Sequence, residues 1–303
     1  MKNKKDFDVI IIGGSYAGLS AGMALGRSLR NTLIIDSGKP CNRFTPHSHN
    51  FITHDGEKPA VIAEKARAQV LNYPTVQWQE GLAVSGKAVE SGFMITTETR
   101  EEFGAKKLIF ATGIKDILPD IKGFAECWGI SVIHCPYCHG YEVKNVRTGI
   151  LANGDFAVHY AQLVRNLTPD LAIFTNGQAA FSDEQAAKLS RHGIPVIEKE
   201  IAYFDQENGR IRQVVFSDNS VFPLEAVYAR PAFEQHCRIP DMLGCELTEQ
   251  GLLKTDMFQK TNVTGVFACG DSASPMRSVA QAVATGNITG AMVNSLLAGE
   301  EFQ

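Results

Sequence analysis

The order of apolar runs along the 303 residues predicts an α/β fold of two domains, each a parallel sheet with a small antiparallel meander, the second inserted in the first. Three observations predict it. A β-branched run, a helical pattern and a second such run occur twice, over 7–36 and again over 148–174. Each of these βαβ units is followed by short segments of alternating polarity, as half-buried antiparallel strands require. Beyond residue 240 the motifs return to the character of the first unit. Segments 1–117 and 241–303 are therefore expected to form one discontinuous domain around the insertion 118–240.

The elements follow in order. Residues 7–12, Phe-Asp-Val-Ile-Ile-Ile, read as a strand buried on both faces and stopped by glycines. A helical pattern covers 17–30, and Thr-Leu-Ile-Ile-Asp at 32–36 is the second strand. Residues 76–84 and 93–99 alternate as antiparallel strands laid beside it, and 108–112 form a buried strand ending at Gly113. After the Pro- and Gly-punctuated link 118–123 the order restarts: strand 148–152, helix 156–166, strand 171–174 and helix 183–192. A meander over 197–228 turns at Asn208-Gly209. Strands at 252–255 and 265–269 and one long Ala- and Gly-rich helix over 278–297 complete the expectation.

Bulk properties exclude several function classes. The net charge is −4 with dispersed basic residues, which gives no electrostatic footprint for nucleic acid. No apolar run has the length of a membrane span. The basic opening Met-Lys-Asn-Lys-Lys leads into a short apolar strand rather than a cleavable leader, so a cytoplasmic location is expected. Seven cysteines, an odd number and mostly isolated, do not make a secreted disulfide framework. Cys41, Cys127, Cys237, Cys245 and Cys269 are expected to be small buried hydrophobes. Cys135 and Cys138 alone have a spacing that suggests chemistry.

The first βαβ unit carries Gly13-Gly14-Ser15-Tyr16-Ala17-Gly18. A Rossmann-like dinucleotide turn needs a glycine for the tight bend, a small residue where the pyrophosphate approaches, and a glycine where helix meets strand. Gly13 and Gly18 fit, and Ser15 stands where the middle glycine is usual. Gly13, Ser15, Tyr16 and Ala17 are thus candidate cofactor contacts. Asp36, with Ser37 after it, ends the second strand where a carboxylate accepts from a ribose hydroxyl. Arg43 has two readings, a cation reaching the cofactor phosphates or a surface arginine.

Residues 261–271 form a strand delivering Gly270 and Asp271 to its C-terminal end, and Ala111-Thr112-Gly113 is a second short motif. Together with the first turn these resemble the fingerprints of the two-dinucleotide flavoprotein disulfide reductases. The resemblance implies FAD as cofactor, with Asp271 on the ribityl chain and Ala111, Thr112, Gly113 and Gly270 around the flavin. Met276-Arg277-Ser278-Val279 opens the last helix, whose N-terminus can stabilise negative charge on the flavin, which makes Val279 a further contact.

The run His134-Cys135-Pro136-Tyr137-Cys138-His139 admits zinc, inert core or redox readings. A tetrahedral zinc site needs two more ligands at short spacing, and no second Cys-x-x-Cys exists. A redox pair needs only a thiolate and its vicinal resolving thiol. Along most of its length the chain resembles the low-molecular-weight thioredoxin reductases, typically homodimers, which carry such a pair in the inserted domain. That resemblance implies that Cys138 faces the flavin and Cys135 exchanges with a partner, a small-molecule dithiol or a thioredoxin-like protein. Those enzymes usually follow the second cysteine with aspartate. Here His139 follows, and residues 135–142 are similar to the gliotoxin- and holomycin-type dithiol oxidases. His139 reads either as the group handling the thiol proton or as a turn cap, with Glu142 available to orient the imidazole.

The inserted βαβ unit departs from an NADPH site. Its turn is Ala152-Asn153-Gly154-Asp155-Phe156-Ala157, with alanine for the turn glycine. After the next strand comes Phe174-Thr175-Asn176-Gly177, with no cation for a 2′-phosphate. NADPH is therefore doubtful, and oxygen or a ferredoxin-like carrier is expected to serve the flavin instead. The rival readings are an NADPH-dependent thioredoxin reductase with an atypical nucleotide site and a non-catalytic flavin redox sensor. Glu234 and His236 either line the substrate cleft or belong to a structural loop.

Overall fold

The computed structural model describes residues 5–303. By its contacts the chain divides into two units. The first comprises Met1–Arg43, Phe51–Lys115 and Phe233–Gln303, and the second Phe44–Asn50 and Asp116–Ala232.

The first unit is organised by a seven-stranded sheet. Strand Lys5–Ile12 lies between Thr32–Asp36 and Glu102–Phe110 and is parallel to both. Its alternate side chains enter two cores: Val9 and Ile11 join Leu25, Ile34 and Phe267, while Ile10 and Ile12 join Leu33, Ile35 and Phe110. Both faces are covered, so the run carries no polar alternation. Strand Val76–Glu80 pairs parallel with Thr32–Asp36, which corrects the antiparallel expectation for 76–84. The reason is a helix absent from the sequence reading, Pro59–Leu71, which carries the chain back to the same sheet edge. It buries only Pro59, Ile62 and Val70, too few to mark a helical period. The antiparallel part is Ala83–Val89, Gly92–Thr97 and Glu102–Phe110.

Strand Val266–Ala268 pairs parallel with Glu102–Phe110. Residues 252–255, expected as a strand, make only an isolated bridge between Leu247 and Leu253. The positive φ of Gly251 bends the chain just before them, and the Leu253 N–H donates to the Ser272 carbonyl instead of a ladder partner. Helix Val279–Glu301 crosses helix Tyr16–Arg27 through its small residues. A Cβ at Gly286 would lie 2.1 Å from the Ala17 carbonyl oxygen, and one at Gly290 would lie 2.6 Å from that of Ala21. Only glycine permits this approach.

The second unit holds a five-stranded parallel sheet in the order Val196–Ile197, Leu171–Phe174, Thr148–Leu151, Ala226–Ala229, Val132–Ile133. Residues 226–228, expected to end the meander, instead form a central strand, because Ala226–Ala229 is buried throughout and needs cover on both faces. The meander proper is Ile201–Glu207, Arg210–Phe216 and Val221–Pro223, turning at Asn208 and Gly209, both at positive φ. Ala172 and Phe174 face one core, Leu171 and Ile173 the other. The segment Phe44–Asn50 belongs to this unit although chain of the first unit flanks it. A Cβ at Gly129 would lie 3.3 Å from that of Phe44.

Among the described residues no helix is long and apolar enough to cross a membrane. Cys127, Cys245 and Cys269 are buried as expected. Cys237 is only half-buried and Cys41 is exposed, which corrects their assignment to the core. Cys41 opens a short turn at the surface, where its Sγ accepts a hydrogen bond from Arg277 Nη2 at 3.3 Å.

Overpacking at the helix crossing should be costly. Gly286→Val is expected to lower the unfolding free energy by about 1–3 kcal/mol and to weaken FAD retention, because the clash falls on Ala17. Gly299→Ala, on the same helix with nothing within 4 Å of the added carbon, should be close to neutral. Urea unfolding and flavin release on dialysis would check both.

Candidate active site and cofactor turn

In the first unit the chain leaves strand Lys5–Ile12 through Gly13, whose φ is +101°. A Cβ there would lie 2.3 Å from the Ala111 carbonyl oxygen, so the turn and the Ala111-Thr112-Gly113 motif are locked together. Gly18 packs as closely on Gly13, where an added Cβ would sit 1.8 Å from its oxygen. Helix Tyr16–Arg27 then starts with Ser15 as N-cap, but the serine side chain makes no cap bond and the first turn holds no acid. Its N–H groups keep their capacity for an anion. Asp36 holds the turn from the second strand, Oδ1 accepting from Gly14 N–H at 2.7 Å and Oδ2 from Gly38 N–H at 3.0 Å. Ser37 is half-buried beside it.

The other predicted residues distribute around this turn. The Tyr16 hydroxyl points into the protein, donating to the Pro59 carbonyl at 3.1 Å and accepting from Asn42. Ala17 is buried under the C-terminal helix. Arg43 is exposed, and its Nη1 donates to the Pro40 carbonyl. Gly270 has φ +71° and its N–H donates to Thr285 Oγ1, which fixes the short turn Gly270–Ser272 against the C-terminal helix. Asp271 and Val279 are half-buried there, with Arg277 Nε 3.8 Å from Asp271 Oδ2. Glu234 forms an exposed ion pair with Lys115, and the His236 N–H donates to the Gly113 carbonyl, so this segment braces the cofactor motif.

Buried polar atoms without a partner among the described residues mark where a ligand would bond: Thr112 Oγ1, Gln235 Oε1 and Trp78 Nε1. Gln235 donates through Nε2 to the Gly251 and Ser272 carbonyls. The Trp78 ring packs where a side chain on Gly14 would lie. Sequence reasoning missed both Gln235 and Trp78, because neither belongs to a spaced motif.

The corresponding turn of the second unit is built differently. Helix Gly154–Val164 is capped by Asn153, whose Oδ1 accepts from Gly154 N–H at 2.9 Å and from Ala180 N–H at 2.8 Å. Asn153 Nδ2 donates to the Gln178 carbonyl. Asp155 sits in the first helical turn and is tied to Gln185. In the loop after strand Leu171–Phe174, the Glu198 carboxylate accepts from Ala179 N–H, and Asn176 Oδ1 accepts from Ile201 N–H. A carboxylate and a side-chain cap thus occupy positions where a dinucleotide phosphate would need donors and cations.

The redox turn also lies in the second unit. Cys135 and Cys138 are joined as a disulfide, with Cα atoms 5.2 Å apart. Pro136 starts the single helical turn Pro136–His139, and Cys135 caps it, its Sγ accepting from Cys138 N–H at 3.1 Å. Tyr137 is exposed between the two cysteines. Burial, aided by the charge of His49, lowers the pKa of His139 from 6.5 to about 4. His139 is therefore a neutral imidazole beside the pair. Glu142 Oε1 lies 3.5 Å from Nδ1 of His49, and the His49 ring stands edge-on to His139 at 6.4 Å. His49 was invisible to sequence reasoning because it comes from the distant segment Phe44–Asn50. Burial pushes the Cys269 thiol up to about 12 and raises Cys127, Cys237 and Cys245 as well, so these are poor thiolates.

The family model for pyridine nucleotide-disulphide oxidoreductases matches residues 7–286. The chain belongs to this family. Like its relatives it is a thioredoxin reductase-like, FAD-dependent oxidoreductase. It is 32% identical over 314 residues to a thioredoxin reductase, sirT, of Leptosphaeria maculans, covering 98% of this chain and 96% of that protein. Among solved structures, an oxidoreductase from Agrobacterium tumefaciens is 37% identical with a TM-score of 0.91, covering 97% of this chain and 99% of the other. A putative thioredoxin reductase, TrxB, from Bacillus anthracis is 32% identical with a TM-score of 0.93, covering 98% and 100%. The open first turn and the orphaned polar atoms fit the FAD of this family of oxidoreductases.

The neutral state of His139 has a stability signature. Its folded pKa of about 4 lies below the ordinary 6.5, so on acidification the unfolded chain binds the proton first. The stabilisation is full above about pH 6.5 and is lost progressively down to about pH 4, a change of at most about 3 kcal/mol. His139→Gln should flatten this part of the stability–pH curve, measured by urea unfolding at successive pH values.

Proposed function

We propose that this flavoprotein oxidises a substrate dithiol through Cys135–Cys138 and delivers the electrons to an acceptor other than NADP, with molecular oxygen as the favoured acceptor. The observation that carries the reading is the Asn153 cap on helix Gly154–Val164, reinforced by Asp155 in its first turn. The Gly154 N–H is already bonded and Asp155 places a negative charge in the first turn, so a pyrophosphate there would meet competition and repulsion. The similarity of residues 135–142 to dithiol oxidases supports the same reading.

The thiol steps follow from the residues of the redox turn. A substrate thiolate attacks the disulfide, forming a mixed disulfide and releasing one cysteine as thiolate. The second substrate thiol gives its proton to neutral His139 and, as thiolate, attacks the mixed disulfide. The substrate leaves as a disulfide, and the cysteine pair holds two electrons. In this reading Cys135 meets the substrate and Cys138 meets the flavin. FAD, when bound, would supply the two-electron redox chemistry that links the reduced cysteine pair to the acceptor. Gly13, Ser15, Tyr16, Ala17, Asp36, Ser37, Ala111, Thr112, Gly113, Gly270, Asp271 and Val279 form its cradle, with Gln235 and Trp78 added from the unpartnered polar atoms.

A second reading, an NADPH-dependent thioredoxin reductase, is favoured by the name of the Leptosphaeria maculans relative. Anaerobic titration of the flavoprotein separates the two. Dithiothreitol should bleach the flavin absorbance at a small stoichiometric excess, NADPH and NADH should leave it unchanged within the mixing time, and admission of air should restore it. Cys138→Ser should abolish the bleaching by dithiol. Rapid bleaching by micromolar NADPH would sink the first reading in favour of the second.

A further inference from the structure

We propose that His49 is a positioning residue of the thiol chemistry: held by Glu142, its ring fixes the orientation of His139 beside the Cys135–Cys138 pair. The proposal rests on the dithiol/disulfide reading above and adds to it a residue from a distant part of the chain.

Its geometry lies within one compact unit. The segment Phe44–Asn50 clusters with the redox turn and not with the chain on either side of it. Ser48 is buried, and the flanking His49 side chain is 20% exposed, so the segment is seated rather than draped. The His49 ring meets His139 at an interplanar angle of 89° with centroids 6.4 Å apart. On its other side His49 Nδ1 is 3.5 Å from Glu142 Oε1. Glu142 follows the redox turn by three positions, so the carboxylate and His139 are held on one short stretch of backbone.

The groups around this arrangement can be named from each packed element. His47, from the same segment as His49, has its ring 6.4 Å from that of His49. Cys135 and Cys138 belong to the turn that carries His139. From the sheet beneath comes Tyr228, whose hydroxyl lies 3.0 Å from where a Cβ on Gly140 would be. Burial, Tyr160 and Glu142 all keep Tyr228 in its neutral, protonated form. Glu142 is the acidic side chain of the group, and its carboxylate holds His49 against the His139 ring, so that His139 keeps one orientation beside the cysteines when a thiol gives up its proton.

The test uses the FAD-loaded protein, chemically reduced and kept anaerobic, with 4,4′-dithiodipyridine as the probe. One cysteine thiolate attacks the pyridyl disulfide and expels one thiopyridone. The other thiol loses its proton to His139 and, as thiolate, closes the Cys135–Cys138 bond and expels the second thiopyridone. Rates across pH are compared for the unaltered protein, His49→Asn, Glu142→Gln, His139→Asn and the double variant His49→Asn/His139→Asn. This readout needs neither a natural substrate nor any acceptor for the flavin, so it stands even where the dithiol oxidase reading fails in the anaerobic titration.

His139→Asn should slow closure about a hundredfold and remove its acid limb. His49→Asn should slow it about tenfold at neutral pH and move the acid limb to higher pH, since His139 regains a proton more readily. Glu142→Gln should also slow closure, because it loosens the hold on His49, and as an isosteric change at a half-exposed side chain it guards against a folding defect at His49. In the double variant, the loss should equal that of His139→Asn alone, because His49 acts through His139. Wild-type closure rates in both His49→Asn and Glu142→Gln would overturn the proposal, as would independent, multiplying losses in the double variant.

Discussion

Each βαβ unit of this protein ends its first strand at a helix N-terminus, and the bonding of the N–H groups there determines what the unit can hold. Four N–H groups at such an end have no partner within the helix, and the end carries partial positive charge. At helix Tyr16–Arg27 the Ser15 side chain makes no cap and no acid lies in the first turn. At helix Gly154–Val164 Asn153 caps the end and Asp155 adds a negative charge. The same backbone architecture thus has a terminus with no side-chain cap in one unit and, in the other, a terminus with a side-chain bond to its first N–H and a carboxylate in its first turn. The difference resides in two side chains, not in the fold.

The chemistry of the cysteines is sorted by the same kind of local arrangement. Five cysteines are free, and burial makes thiolates of Cys127, Cys237, Cys245 and Cys269 costly. The remaining two are linked within a single helical turn, where the proline start and the Cys135 cap hold them at disulfide distance. Beside them His139 is neutral for the same reason that silences the buried thiols: burial disfavours the charged form of each group. For a thiol that means inertness, and for an imidazole it means an unprotonated ring nitrogen at neutral pH that holds a proton only weakly.

Much of this was legible in the sequence because it depends on near neighbours. The Gly13 and Gly18 positions, Asp36 at the second strand end, the paired cysteines and Asn153 each act within a turn or a βαβ unit, so spacing alone located them. What escaped depends on long-range contacts. Helix Pro59–Leu71 has too narrow a buried face to show a period, and its omission turned the direction of the strand after it. Ala226–Ala229 was absorbed into the meander because a four-residue apolar run does not reveal which sheet receives it. Cys41 is exposed although cysteine is usually buried, since its turn lies at the surface against Arg277. His49 reaches His139 only through the tertiary path of its segment, which no spacing rule records.

The crossing of helix Val279–Glu301 over helix Tyr16–Arg27 bears on how the protein is made. Gly286 and Gly290 seat against Ala17 and Ala21, residues of the cofactor turn's own helix. During synthesis the ribosome delivers that turn early and its packing partner only after the whole of Asp116–Ala232 has emerged. The inserted unit, nearly continuous in sequence, can therefore acquire its sheet while the first unit still lacks a wall of its core. Flavin capture would then be a late event in biogenesis, and the apolar face of the first helix a surface that chaperones must shield in the interval.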